Sequence, residues 1–500
     1  MEKLILAIDQ GTTSSRAIIF NQDSQIIASS QMEIPLICPK SGWVEQSATL
    51  IWETVYEVVK EVLLNPKVDE TLIKSIGITN QRETTIVWNK ETKLPIYNAI
   101  VWQSRQSQDI CDKLIEDGLL DMVKEKTGLI INPYFSATKI RWILDNVNGA
   151  KELAHEKKLL FGTVDSYLVW LLTEGKLHIT DYSNASRTML FNIHTLSWDK
   201  ELLDILGIDE SMLPQVVNSS ENYGIATKLK SIDPNLNISI CSIIGDQQAS
   251  LFGQCCFNLG DVKSTYGTGC FMLMNTKKNI VKSQNGLLTT IAWGINGDVE
   301  YALEGSVFIA GSVVQWLRDG MQLITKSSDV ETYSDINEIP SSNGIYIVPA
   351  FVGLGTPYWD NDARGAVFGL TRATKKRDFI NAAVESIAYQ AKDVMEVMKE
   401  DAEVKISVIG VDGGASINNY LIQFQSDLLD CKIVRPECLE TTALGAAYLA
   451  GLASNVWKNK DELKRLRKIN QIFLPTMEEQ KREKLYSGWK KAVNATRLFK

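Results

Sequence analysis

The residues best equipped for chemistry in this chain lie in short polar segments that close apolar runs. Asp9-Gln10-Gly11-Thr12-Thr13-Ser14-Ser15-Arg16 follows the run from Leu4 to Ile8. An aspartate there presents the hard oxygen ligand that Mg²⁺ takes while keeping several waters. The glycine lets backbone N–H groups approach an anion, Thr12, Thr13 and Ser14 supply hydroxyls for phosphate oxygens, and Arg16 adds positive charge. Gly245-Asp246-Gln247-Gln248 closes the apolar-rich run 238–244 and puts Asp246 at a strand end. Phosphoryl-transfer enzymes use such a carboxylate to orient a hydroxyl and accept its proton late. Arg82-Glu83 closes the run 73–79. A donor fork beside an acceptor carboxylate suits a polyol, whose hydroxyls donate and accept, and Trp102, Tyr134 and Phe271 are candidate walls. Gly267-Thr268-Gly269 and Asp412-Gly413-Gly414-Ala415 are glycine turns that admit a phosphate or a base.

Each segment also has an ordinary structural reading. The first is a hairpin turn, Asp246 a cap for a helix over 247–253, Arg82-Glu83 a surface ion pair, and the aromatics core packing. Three glycine turns spread over both halves favour a nucleotide held between them. Other nucleotide classes drop out. There is no Gly-x-x-x-x-Gly-Lys-Ser/Thr loop, Met272 stands where a dinucleotide fingerprint needs its third glycine, and the protein-kinase set is missing. Three histidines, His155, His178 and His194, argue against histidine catalysis or a multi-histidine metal site.

These segments need a large scaffold, and 500 residues predict two to four domains at roughly 100–200 residues each. The apolar share of 45% and charged share of 22% fit a globular enzyme, and a net charge of −8 weighs against a nucleic-acid binder. Eight cysteines without a Cys-x-x-Cys pair read as reduced thiols. The opening apolar run ends at Asp9, unlike a signal peptide, and the uncharged stretch 441–457 is shorter than the ~20 residues of a membrane span. A cytoplasmic protein is expected.

The apolar periodicity predicts a β-meander over 4–8, 16–20 and 25–33. A helix follows from the N-cap Ser47 to about Leu64, then a strand over 73–79. The second half predicts a hairpin within 261–274, a strand over 406–411, helices over 416–429 and 442–452, and a solvated helix over 458–468. The class is α/β, with a plan repeated in two halves around a cleft.

Together these residues resemble the carbohydrate-kinase family called FGGY. The segment from Tyr134 to Asn146 (YFSATKIRWILDN) fits its first signature. Gly365 to Leu370 (GAVFGL), then Asp378-Phe379 and Ala382-Ala383-Val384-Glu385, fit its second. The segments 9–16, 81–85, 264–271 and 349–359 resemble its glycerol-phosphorylating members, and the likeness runs from about residue 4 to 492. The resemblance implies two duplicated actin/hexokinase-like (ribonuclease H-like) domains flanking a catalytic cleft. Residues 1–253 would carry the polyol site and phosphate loop, and 254–500 the adenine nucleotide site. It implies ATP- and Mg²⁺-dependent phosphorylation of glycerol to sn-glycerol 3-phosphate by a homo-oligomer, dimer or tetramer, with no nucleic-acid or membrane partner.

By motif position, Thr12, Thr13, Ser14 and Arg16 would hold phosphates, and Thr268, Gly311, Gln315, Gly414 and Asn418 the ADP portion. Arg82, Glu83, Tyr134, Asp246 and Gln247 would bind glycerol, with Trp102 and Phe271 along its carbon edge. Asp9 would position Mg²⁺ and Asp246 would be the base. Another sugar kinase of the family, or an actin- or chaperone-like ATPase, are the alternatives. The stretch 227–237 lacks the Gly-Gly-Lys loop with which some relatives bind fructose 1,6-bisphosphate, and no histidine follows His194 for a phosphocarrier protein to modify. Neither control is expected.

Overall fold

A computed structural model describes residues 3–336, 340, 342–360, 362–406 and 408–499. Thirteen strands form one sheet. In chain order they are β1 (Leu4–Gln10), β2 (Ser14–Asn21), β3 (Ile26–Glu33), β4 (Ile73–Asn80), β5 (Ser220–Ile225), β6 (Ser239–Gly245) and β7 (Val262–Tyr266). They continue as β8 (Cys270–Lys277), β9 (Leu288–Ile295), β10 (Asp298–Val307), β11 (Val408–Asp412), β12 (Lys432–Pro436) and β13 (Ile469–Phe473). Their spatial order is β13-β12-β11-β7-β8-β10-β9-β5-β6-β4-β1-β2-β3.

The order contains one plan twice. In the first half β3, β2 and β1 run antiparallel, β4 lies parallel to β1, and β6 parallel to β4. In the second half β10, β8 and β7 run antiparallel, β11 lies parallel to β7, and β12 parallel to β11. The half-sheets join at a bridge between Ser220 and Ile295. Parallel strands are covered on both faces, which explains why Leu4 to Ile8 is apolar without alternation and buried throughout.

Six helices position the site: α1 (Ala48–Leu63), α2 (Ser136–Asn146), α3 (Asp246–Gly253), α4 (Lys376–Ala402), α5 (Asn419–Leu429) and α6 (Thr441–Ala453). Ser47 caps α1, its hydroxyl accepting from the Leu50 amide. Leu6, Ile8, Val55, Val59, Ile76 and Ile78 form one core, and Met272, Val384, Ala388, Ile409, Val411 and Leu421 another. A third joins the halves through Ile5, Ala7, Ile244, Leu251, Ala443 and Ala447. Here α3 crosses α6 at backbone contact. A Cβ on Gly445 would lie 1.8 Å from the Ala249 carbonyl oxygen, and one on Gly253 2.0 Å from that of Thr441.

Three sequence expectations shift. The helix expected over 416–429 begins at Asn419, because residues Gly414–Ile417 form a tight 3₁₀ turn and Asn418 takes the cap, accepting from the Leu421 amide. The strand expected over 406–411 is β11, 408–412; its Ser407 lies outside the described residues. The helix expected over 458–468 spans Lys460–Leu466 and is not merely solvated: Leu463 is buried and the Lys460 ammonium meets Glu300 at 2.8 Å. Among the described residues no helix is long and apolar enough to cross a membrane.

Candidate active site

The parallel strands β1, β4 and β6 end in register: Gln10 lies beside Asn80, and Asn80 beside Gly245. Asp9, Arg82 and Asp246 therefore meet at the carboxyl ends of these strands, where open α/β sheets place their ligands. The end of β7 (Tyr266) and the end of β11 (Asp412) bring two glycine turns of the second half to the carboxyl ends of their own strands.

Arg82 and Glu83 are not a surface pair; both are buried. Asp246 opens α3 behind the cap residue Gly245. One oxygen, Oδ1, accepts from the Gln247 amide at 2.7 Å and faces Arg82 Nε at 3.2 Å. Arg82 Nη1 and Nη2 fork onto Glu304 at 2.5 and 3.1 Å, and Nη1 also reaches Gln248 Oε1 at 3.2 Å. Glu83 Oε1 accepts from Arg187 Nε at 2.6 Å. Glu83 adopts φ +58°, a left-handed conformation that non-glycine residues keep where the surroundings enforce it. Its carbonyl is held by the Ser136 and Thr85 hydroxyls.

The aromatic residues converge beside this charge cluster. Trp102 lies edge-on to Tyr134 and Phe271, with ring centroids 5.6 and 6.2 Å away, and its indole N–H donates to Thr12 Oγ1 at 2.8 Å. Tyr134 is fixed from behind by Lys139 of α2, whose ammonium donates to the Tyr134 and Phe135 carbonyls. Burial pulls the Lys139 amine down to about 7, opposed by Glu83. Gln247 accepts from the buried Lys263, which also donates to Thr265 Oγ1 at 2.9 Å and the Phe271 carbonyl at 3.3 Å. Burial pulls the Lys263 amine down to about 8, with Asp412 and Asp246 opposing. One contiguous patch thus holds Thr12, Arg82, Glu83, Trp102, Tyr134, Asp246, Gln247 and Phe271.

Asp9 stands opposite Arg16 in the β1–β2 hairpin. Desolvation pushes its carboxyl up to about 7; Arg16 opposes this, and Asp246 and Glu440 add to it. A carboxylate at a strand end is the kind of oxygen ligand a divalent cation would take. Among the described residues no group of three or more His, Cys, Asp or Glu side chains is arranged to hold a metal, so such an ion would draw its other ligands from water and phosphate. Arg16 Nη1 pairs with Glu440 Oε2 at 2.7 Å, linking the halves beside the β1–β2 turn. The hydroxyls of Thr13 and Ser14 make no hydrogen bond among the described residues, while Ser15, outside the expected set, is engaged by Thr54.

In the second half Thr268 and Gly311 come together: the Ala310 and Ser312 amides donate to the Thr268 carbonyl, and the Gly311 amide to that of Gly267. Gly413, at φ +83°, packs on Tyr266, and a Cβ there would lie 2.5 Å from the Tyr266 carbonyl oxygen. Thr268, Gln315 and Gly414 are exposed along this rim. Asn418 spends its side-chain oxygen on capping α5. None of the expected site residues lines the separate cavity of about 240 Å³ between Asp23–Ile26, Pro436–Cys438 and Arg467.

Sequence reasoning missed Arg187, Glu304, Lys263, Gln248 and Glu440. One carried a signal: Glu304 is a charged residue inside the largely apolar strand β10, and a charge on a central strand must be paired.

The family model for the FGGY family of carbohydrate kinases, N-terminal domain, matches residues 4–253, and that for the C-terminal domain of the same family matches residues 262–454. The chain is 57% identical to a glycerol kinase of Geobacillus sp. (strain WCH70) over 500 residues, covering both chains in full. It is 57% identical over 503 residues to a glycerol kinase of Bacillus velezensis, again over both full lengths. Its structure is similar to the crystal structure of Plasmodium falciparum glycerol kinase with ADP: TM-score 0.92, 36% identity, 99% of this chain and 98% of that one.

Proposed function

The chain belongs to the FGGY family of carbohydrate kinases, and from that premise we propose that it transfers the γ-phosphoryl group of ATP to a terminal hydroxyl of glycerol, giving sn-glycerol 3-phosphate. The observation that carries the substrate is the small acceptor patch. Arg82, Glu83 and Asp246 gather donor and acceptor groups at one place, and Trp102, Tyr134 and Phe271 wall it with rings. Three hydroxyls on a three-carbon backbone match polar groups on one side and rings on the other.

Glycerol sits with hydroxyls on Arg82 and Glu83 and its carbon edge on Trp102 and Phe271. Asp246 turns one terminal hydroxyl toward the γ-phosphorus and takes its proton as the bond forms. Arg16 and the hydroxyls of Thr12, Thr13 and Ser14 stabilise the charged phosphoryl oxygens, and Thr268, Gly311, Gln315, Gly414 and the Asn418 backbone and amide flank the remainder of the nucleotide. Asp9 would hold a Mg²⁺ ion, which would offset the negative charge of those oxygens. Closure of the two halves excludes water, which would otherwise compete as acceptor. Residues 1–253 and 254–500 serve as the two moving units, in a cytoplasmic homo-oligomer.

A coupled assay of ADP release tests the reading. Glycerol should stimulate release far more than pentoses or pentuloses. Stronger stimulation by a sugar would make the chain a different sugar kinase, and release indifferent to any acceptor would make it an ATPase of the actin type.

A further inference from the structure

Arg82 has five N–H donors, and their allocation is unusual for a residue that must also meet a substrate. Glu304 takes one from Nη1 and one from Nη2, Gln248 takes another from Nη1, and Nε faces Asp246. One N–H on Nη2 remains. Glu304 stands in β10, between Leu273 of β8 and Leu288 of β9, on the second half of the chain. It is fully buried, as is Arg187. Arg187 Nη2 meets the same Glu304 Oε1 at 2.9 Å while its Nε holds Glu83. Its guanidinium also lies 5.5 Å from the Tyr134 ring centre. Glu83 thus has Oε1 occupied by Arg187, and its Oε2 accepts from no described residue.

We infer that Glu304 and Arg187 are positioning residues that set which edges of Arg82 and Glu83 face the acceptor, and so set acceptor selectivity. The inference rests on the acceptor-phosphorylation reading above and adds the groups that fix its geometry. The physical reason lies in the alternatives open to Arg82. Its other carboxylate neighbours are Asp246 at 3.2 Å and Glu83 at 3.9 Å. Without Glu304 the guanidinium fork would turn onto one of them and occupy an oxygen meant for a hydroxyl. A bidentate carboxylate behind Arg82 prevents this turn, because the planar fork has one orientation that satisfies both bonds. Arg187 does the same for Glu83 while tying it to the common carboxylate. Because Glu304 comes from the other half of the chain, the acceptor patch is complete only when both halves contribute.

The test compares the wild type with Glu304→Gln, Glu304→Asp and Arg187→Lys, using glycerol, propane-1,2-diol and ATP. Wild-type ADP release that ignores glycerol would refute the underlying reading before any variant is compared. Given glycerol-dependent release, Glu304→Gln should raise the KM for glycerol about 10- to 100-fold, the range for losing a charged hydrogen bond. It should leave the KM for ATP within about twofold and reduce the preference for glycerol over the diol about tenfold, since a site no longer aligned to its hydroxyls stops rejecting an analogue that lacks one. Glu304→Asp, which keeps the charge, should recover part of that preference. If Glu304→Gln fails to fold, Arg187→Lys carries the test: it keeps the charge, loses the fork, and should show the same selective rise. An unchanged KM and an unchanged glycerol-to-diol ratio in the folded variants would overturn the inference. So would KM values for glycerol and ATP that rise in parallel with a falling Tm.

Discussion

At the residue scale, Asp246 is held so that only one of its oxygens is committed to the protein, with Oδ1 between the Gln247 amide and Arg82. The other is left for a hydroxyl. Asp246→Asn keeps the shape and the local hydrogen bonds but cannot take a proton. It should lower kcat by about 10²–10⁴-fold, the usual range for removing a general base, with ATP binding and Tm near normal. Steady-state kinetics and a thermal melt on one purified variant check this; a near-normal kcat would place the base elsewhere. Glu304 supports a second prediction. Burial alone would raise its carboxyl, but Arg187 and Arg82 pull it from 4.5 down to about 2. A carboxyl depressed in the folded state contributes stability that is present above its unfolded value and lost as pH falls through the folded one. The urea midpoint of the wild type should therefore exceed that of Glu304→Gln near neutrality. The gap should narrow as pH drops from about 4.5 toward about 2.

At the element scale, the crossing of α3 and α6 ties Asp246, the proposed base, to the second half of the chain. Asp246 is the first residue of α3, and seven residues on, at Gly253, that helix touches the backbone of α6. Gly445→Ala would force a methyl into a space 1.8 Å from the Ala249 carbonyl oxygen, so the two helices must part. Overpacking of this kind costs about 1–3 kcal/mol or more. The expected result is a lower Tm together with a lower kcat, because α3 carries Asp246 away from Arg82. A variant with an unchanged melt and full activity would show that the crossing adapts without moving the site.

At the scale of the whole molecule, Arg16 and Glu440 face each other across the two halves, with side chains 35% and 39% exposed. A pair this open to water is worth about 0–1 kcal/mol. In the proposed reading it nevertheless competes with phosphate for Arg16. Glu440→Gln should lower the KM for ATP by up to about fivefold, and the gain should vanish at high ionic strength, where exposed charges are screened. Regulation is expected to differ from that of relatives with a Gly-Gly-Lys loop. Here Thr227–Ser231 is a 3₁₀ turn without adjacent glycines. Millimolar fructose 1,6-bisphosphate should leave the rate unchanged, and clear inhibition would reveal an anion site built from other residues.

The sequence by itself determined most of the elements and the polar segments that close the parallel strands. An uninterrupted apolar run such as Leu4 to Ile8 satisfies its burial inside a sheet covered on both faces, and the cap at Ser47 depends on neighbours a few residues away. Local chemistry of that kind is legible in a chain read end to end. The start of α5 was not, because the 3₁₀ turn at Gly414–Ile417 depends on how Gly413 packs against Tyr266, far off in sequence. The same holds for the charge cluster. Arg82, Arg187 and Glu304 are separated by more than a hundred residues each, and nothing local to any of them names its partner. Their pairing is tertiary: Arg82 follows β4, Glu304 lies on β10 of the other half-sheet, and Arg187 joins Glu304 to Glu83. Buried charges must find opposite charges at short range, and only the tertiary structure decides which ones are there to be found.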